Sequence, residues 1–170
     1  MTNNKLLVMN GPGLADLGNF DGNTYGNLTL AKIKDECSAL CEQLGATLDF
    51  RQTDDEDEMF RAIAKDSDNY DALIINPIGY SRAASVEFEL YRSAIKMIAH
   101  LNKPVIEVHI TNIFQQGAEI TKPLQVPEGE MGFICGLGVN SYLLAIKAVN
   151  RRLNDKQTSF HKQIRVHDPR

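Results

Sequence analysis

Three places in this chain carry side chains able to hold an organic acid and move a proton. The first is Ile106-Glu107-Val108-His109-Ile110-Thr111-Asn112. His109 closes an apolar run that reads as a strand, and Glu107 lies two residues before it, on the same face. The backbone N–H groups that follow, with the Thr111 hydroxyl, suit an anion such as a carboxylate. The second is Asn76, at the end of another apolar run, whose amide both donates to and accepts from a hydroxyl. The third is Tyr25, between Thr24 and Gly26 in a glycine-rich stretch. Its ring can simply anchor that loop, or its phenol can act as a base where a cation lowers its pKa. His100, His161 and His167 have no neighbouring group that gives them such a role.

These residues need a scaffold that gathers strand ends. Five short apolar runs stop abruptly in small or polar residues: Asn10-Gly11-Pro12-Gly13, Gln52-Thr53-Asp54, Asn76-Pro77-Ile78-Gly79-Tyr80, His109-Ile110-Thr111-Asn112 and Gly136-Leu137-Gly138. Parallel sheets bind ligands in the crevice beyond the carboxyl ends of their strands, so this punctuation marks the site. Strands are expected at Leu6–Met9, Thr47–Phe50, Ala72–Ile75, Val105–His109 and Met131–Cys135. Between the first two, the stretch from Asn10 to Asn27 is a long loop of the kind that serves as a lid.

The stripe Leu30, Ile33, Cys37, Leu40, Cys41 and Leu44 predicts a helix, with Thr29 as N-cap and Gly45 as stop. The acidic run Asp54–Glu58 opens a second helix that turns Met59, Ile63 and Ala64 inward, its charge suiting the positive end of the helix dipole. A third helix spans roughly Ala83–His100. Thr111 to Glu130 is a second long connection, where Pro123 and Pro127 argue against a helix. A final helix runs Asn140–Leu153, with Leu143, Leu144, Ile146 and Val149 available for packing. Strand and helix alternate, which predicts an α/β, flavodoxin-like, five-stranded parallel sheet with helices on both faces. A single domain over 1–153 is expected, followed by a mobile or partner-docked tail over 154–170.

Composition narrows the function classes. The chain has 170 residues and a net charge of −4, with no basic cluster for nucleic acid or a membrane surface. No apolar run approaches the roughly 18 residues of a membrane span. Three cysteines without metal-ligand spacing read as buried thiols in a reducing compartment. With the first strand beginning close to Met1, no secretory leader is expected, and a cytoplasmic location follows. Gly11, Gly13 and Gly18 do not make a dinucleotide loop: the spacing is wrong and Pro12 interrupts it.

Read in order, Met9-Asn10-Gly11-Pro12, Tyr25-Gly26, Phe50-Arg51-Gln52-Thr53, Ile75-Asn76-Pro77 with Gly79-Tyr80, the His109 segment and Gly136-Leu137-Gly138-Val139 resemble the type II 3-dehydroquinate dehydratases over roughly residues 5–150. The resemblance implies a flavodoxin-like fold, no metal, no cofactor, and trimers assembling into a homododecamer. It also implies removal of water from 3-dehydroquinate, a small carboxylic acid, through an enolate. Tyr25 would be the base. Asn76, Gly79, His109, Ile110 and Thr111 would hold the substrate.

Several positions depart from the family pattern. Gly13 stands where the family has an asparagine, residues 19–24 of the lid contain no arginine, and Ser81-Arg82-Ala83-Ala84-Ser85 replaces the loop that carries the family's acid histidine. Leu90 replaces a helix aspartate, and the region of Ile120 lacks the arginine that closes on the substrate. Arg82 is therefore a candidate catalytic residue, a cation that restores the missing lid charge beside Tyr25 or binds a second anionic group. Two other readings stay open on the sequence: a paralogue acting on another small hydroxy or keto acid, and a non-catalytic module that binds a carboxylate metabolite.

Overall fold

The computed structural model describes residues 3–18, 27–77, 103–112 and 131–165. Its elements are β1 (Lys5–Asn10), α1 (Leu30–Leu44), β2 (Thr47–Gln52), α2 (Glu56–Asp66) with a 3-10 turn at Ser67–Asn69, β3 (Ala72–Asn76), β4 (Val105–His109), β5 (Met131–Cys135) and α3 (Asn140–Arg165). The five strands pair in parallel in the order β2-β1-β3-β4-β5. That is the flavodoxin-like order, with its switch point between β1 and β3. The expected helix over Ala83–His100 and most of the connection after Thr111 lie outside the described residues.

Alternation along each strand splits the core into two layers. Leu6, Val8, Ile74, Ile106 and Val108 pack with Ile33, Cys37, Tyr142, Ala145, Ile146 and Val149 from α1 and α3. Leu7, Met9, Leu73, Ile75 and Val105 pack with Met59, Ala62 and Ile63 from α2. Strands buried on both faces must be apolar throughout, which is why β1 and β3 read as continuous runs rather than as alternation.

Helix ends follow local chemistry. The Thr29 side chain accepts from the Lys32 N–H at 3.2 Å, and Gly45 takes a left-handed conformation (φ 67°) while its N–H donates to the Glu42 carbonyl. The second helix starts at Glu56, slightly later than the acidic run suggests. The Asp55 carboxylate accepts from the N–H groups of Asp57 and Glu58 and so caps it.

Three expectations are corrected. The last helix does not stop at Leu153: α3 runs through Arg165, taking in most of the stretch read as a tail. Residues 154–165 contain neither glycine nor proline, so a helix already nucleated against the core propagates at one hydrogen bond per residue. Leu144 is 45% exposed, while Tyr142, Ala145, Ile146 and Val149 form the buried i, i+3, i+4, i+7 stripe. In α2 the inward residues are Met59, Ala62 and Ile63, with Ala64 only half-buried.

Cys37 and Cys41 lie inside the α1 layer as free thiols. Burial pushes Cys37 up to about 12 and Cys41 up to about 11, so both stay protonated and inert.

Candidate active site

The five strand ends open on one edge, and two segments cross closely at its switch point. The Gly11 N–H donates to the Asn76 carbonyl at 2.8 Å as the chain leaves β1, and a Cβ on Gly11 would stand 2.1 Å from the Pro77 carbonyl oxygen. Only glycine permits this approach. Gly13, next in the same turn, has φ 81°, and its N–H donates to Asp54 Oδ1 at 2.9 Å. The glycines of this loop therefore serve backbone geometry, with Asp54 tying the loop to the end of β2.

On the α2 face of β4, Glu107 and His109 form a buried pair. His109 Nε2 lies 2.6 Å from Glu107 Oε1, and their side chains are 10% and 3% exposed. The Phe133 ring, on β5, tilts against the imidazole at 5.5 Å between centroids. A carboxylate behind an imidazole holds one tautomer and steadies the imidazolium when it forms. The loop after His109 is fixed from β5 and α3: the Gly136 N–H and the Ser141 hydroxyl donate to the His109 carbonyl, and the Gly138 N–H donates to the Ile110 carbonyl at 2.9 Å. Ile110 buries its side chain in the α1/α3 layer, and Thr111 beside it is half-buried.

Asn76 sits on the other face of the sheet. Its side chain donates to the Tyr142 hydroxyl at 2.7 Å, and that hydroxyl donates to Asn10 Oδ1 at 2.8 Å. Asn10 in turn donates through Nδ2 to the Arg51 carbonyl at 2.8 Å. Burial holds the Tyr142 phenol well above its usual range, although the Asn76 hydrogen bond acts the other way, so Tyr142 remains a donor at any working pH. Among the described residues, two buried side-chain oxygens have no hydrogen-bond partner: Asn76 Oδ1 and Glu107 Oε2. Both belong to the strand ends that frame the crevice.

Of the residues singled out in the sequence, the fold brings Asn76, His109, Ile110 and Thr111 to one edge, with Asn76 and His109 pointing to opposite faces of the sheet. Tyr25, Gly79 and Arg82 lie outside the described residues. Sequence reasoning missed Tyr142, whose signal was a polar-tipped aromatic at the start of a helix stripe otherwise filled by aliphatic residues. No group of three or more His, Cys, Asp or Glu side chains placed to hold a metal occurs among the described residues. No described helix is long and apolar enough to cross a membrane.

Comparison with known proteins gives the family and agrees with the fold. The family model described as dehydroquinase class II matches residues 4–150. A 3-dehydroquinate dehydratase of Clostridium botulinum (strain Loch Maree / Type A3) is 32% identical over 151 residues, covering 89% of this chain and 97% of that protein. One from Mesorhizobium japonicum is 36% identical over 148 residues, covering 87% of this chain and 98% of that protein. The crystal structure of type II dehydroquinase from Propionibacterium acnes superposes with a TM-score of 0.75 at 28% identity, covering 88% of this chain and 97% of that one. A 3-dehydroquinate dehydratase-like protein from Bifidobacterium longum gives a TM-score of 0.63 at 27% identity, covering 89% and 98%.

Proposed function

The chain belongs to the class II dehydroquinase family, and on that premise we propose that it eliminates water from 3-dehydroquinate. The observation that carries the reading is the buried Glu107–His109 pair at 2.6 Å on the ligand-binding edge of the sheet. An elimination of this kind needs a base for the proton next to the ketone and an acid for the departing hydroxyl. Tyr25 is the base: its phenolate takes the proton, the electron pair moves into an enolate, and the C–O bond then breaks as the oxygen is protonated to water. With Nε2 engaged by Glu107, the remaining ring nitrogen of His109 is the one left to serve the leaving hydroxyl. The resemblance assigned this acid to the loop after the third strand. The strand-end pair makes a histidine in that loop unnecessary.

Arg82 is the cation that keeps the Tyr25 phenol deprotonated in place of a lid arginine. The substrate carboxylate rests on the Ile110 N–H and the Thr111 hydroxyl, and its ring hydroxyls meet Asn76, with Gly79 a further substrate-binding residue. Proton transfer alone accounts for the reaction. We further propose a cytoplasmic enzyme assembled as trimers in a dodecamer. The test is the rise in absorbance of the conjugated enone product when 3-dehydroquinate is added, and its loss in Tyr25→Phe. Absence of turnover by the wild-type protein overturns the reading.

A further inference from the structure

The buried chain of hydrogen bonds through Asn10, Tyr142 and Asn76 has a polarity that its own chemistry fixes. The Arg51 carbonyl can only accept, so the Asn10 atom facing it at 2.8 Å is the amide nitrogen. Asn10 therefore turns its oxygen to Tyr142, whose single proton fills that 2.8 Å contact. With its proton committed, the Tyr142 oxygen accepts at 2.7 Å from Asn76, which must present its amide nitrogen. The assignment of each amide thus follows from a backbone carbonyl on β2 and involves no free choice.

One consequence is left at the end of the relay. Asn76 Oδ1 is a committed acceptor without a partner among the described residues, in a residue only 1% exposed, at the carboxyl end of β3 beside the switch point. An unpaired buried acceptor is costly, and the cost is recovered only when a donor arrives. We infer that Tyr142 is a positioning residue that locks the Asn76 amide so that the site demands a hydrogen-bond donor from its ligand, selecting a ring hydroxyl over an apolar or acceptor-only substituent. The selection needs no contact between Tyr142 and the ligand. The choice of probe rests on the proposed function; the relay itself does not.

The experiment compares the affinities of quinate and cyclohexanecarboxylate, measured by calorimetry on the full chain. The wild type is expected to prefer quinate at least about tenfold, because a site built to bond a hydroxyl rejects the analogue lacking it. Tyr142→Phe is expected to weaken quinate about threefold or more, the worth of one ordinary hydrogen bond, while cyclohexanecarboxylate stays within about twofold. A purely structural role for Tyr142 would weaken both acids alike, and that outcome overturns the inference. Asn76→Ala, which removes the acceptor and leaves the Tyr142–Asn10 bond in place, provides the same comparison should Tyr142→Phe fail to fold. A wild type without preference for quinate overturns the inference outright. Quinate preference without 3-dehydroquinate turnover would instead sink the dehydratase reading and leave the relay standing.

Discussion

Gly11 passes so close to Pro77 that a single methyl group on Gly11 would meet the Pro77 carbonyl oxygen at 2.1 Å, with the carbonyl carbon at 2.7 Å and the Met59 sulfur at 3.2 Å. The obstacle is backbone, which cannot swing aside like the end of a long side chain. Gly11→Ala is therefore expected to cost about 1–3 kcal/mol in urea unfolding, as overpacking does. It should also weaken quinate, because the shift needed parts β1 from β3 where Asn10 and Asn76 end. A variant as stable as the wild type would show that the crossing is looser than described.

The Glu107–His109 pair predicts a graded loss of rate. His109→Ala should lower kcat by about 10²–10⁴-fold, the usual effect of removing a general acid. Glu107→Gln keeps the shape of the pair but loses the negative charge that steadies the imidazolium, and its kcat should fall by less. Steady-state kinetics on the two variants check this. Wild-type kcat in His109→Ala would remove the imidazole from the chemistry.

Arg82→Ala should weaken quinate binding or turnover at least about tenfold, equivalent to 1.4 kcal/mol. The pH profile carries the more specific signature. If Arg82 keeps the Tyr25 phenol deprotonated, its loss moves the rising limb of the kcat/KM profile toward higher pH. An unchanged profile and rate would place Arg82 away from the site.

Asp49 links the β2 edge to acid stability. Burial pushes its carboxyl up, but hydrogen bonds from Arg51 and Tyr70 outweigh that and leave it below the usual carboxylate range. A depressed group stabilises the fold above its unfolded pKa, and that contribution disappears as pH falls through the folded value. Asp49→Asn should thus be the less stable protein at neutral pH, by at most about 1 kcal/mol for so exposed a pair. The gap should close below about pH 4. Urea midpoints across pH test the sign: a gap that widened toward acid would contradict it.

What could be read from residues alone depended on whether the information was local. Thr29 and Gly45 mark α1 correctly because capping is decided within one turn. The partnership of Glu107 and His109 was legible because strand side chains alternate with period two. The flavodoxin-like strand order was legible from the alternation of strand and helix and from the family resemblance, whereas the crossing at Gly11 depends on contacts between segments dozens of residues apart, which no local pattern encodes. The same holds for Tyr142: nothing near it in sequence indicates that its hydroxyl lies between Asn10 and Asn76. The extension of α3 beyond Leu153 was hidden because its residues lack an apolar stripe, and helix continuation there needs only the absence of a breaker.

The position of β1 and β3 in the strand order has a consequence for how the pocket behaves over time. Each is hydrogen-bonded on both sides, so releasing their amides to solvent requires dismantling most of the sheet. The acceptors of Asn10 and Asn76 are therefore mounted on the slowest-exchanging framework of the molecule. The floor of the site thus keeps its registration for as long as the sheet itself persists.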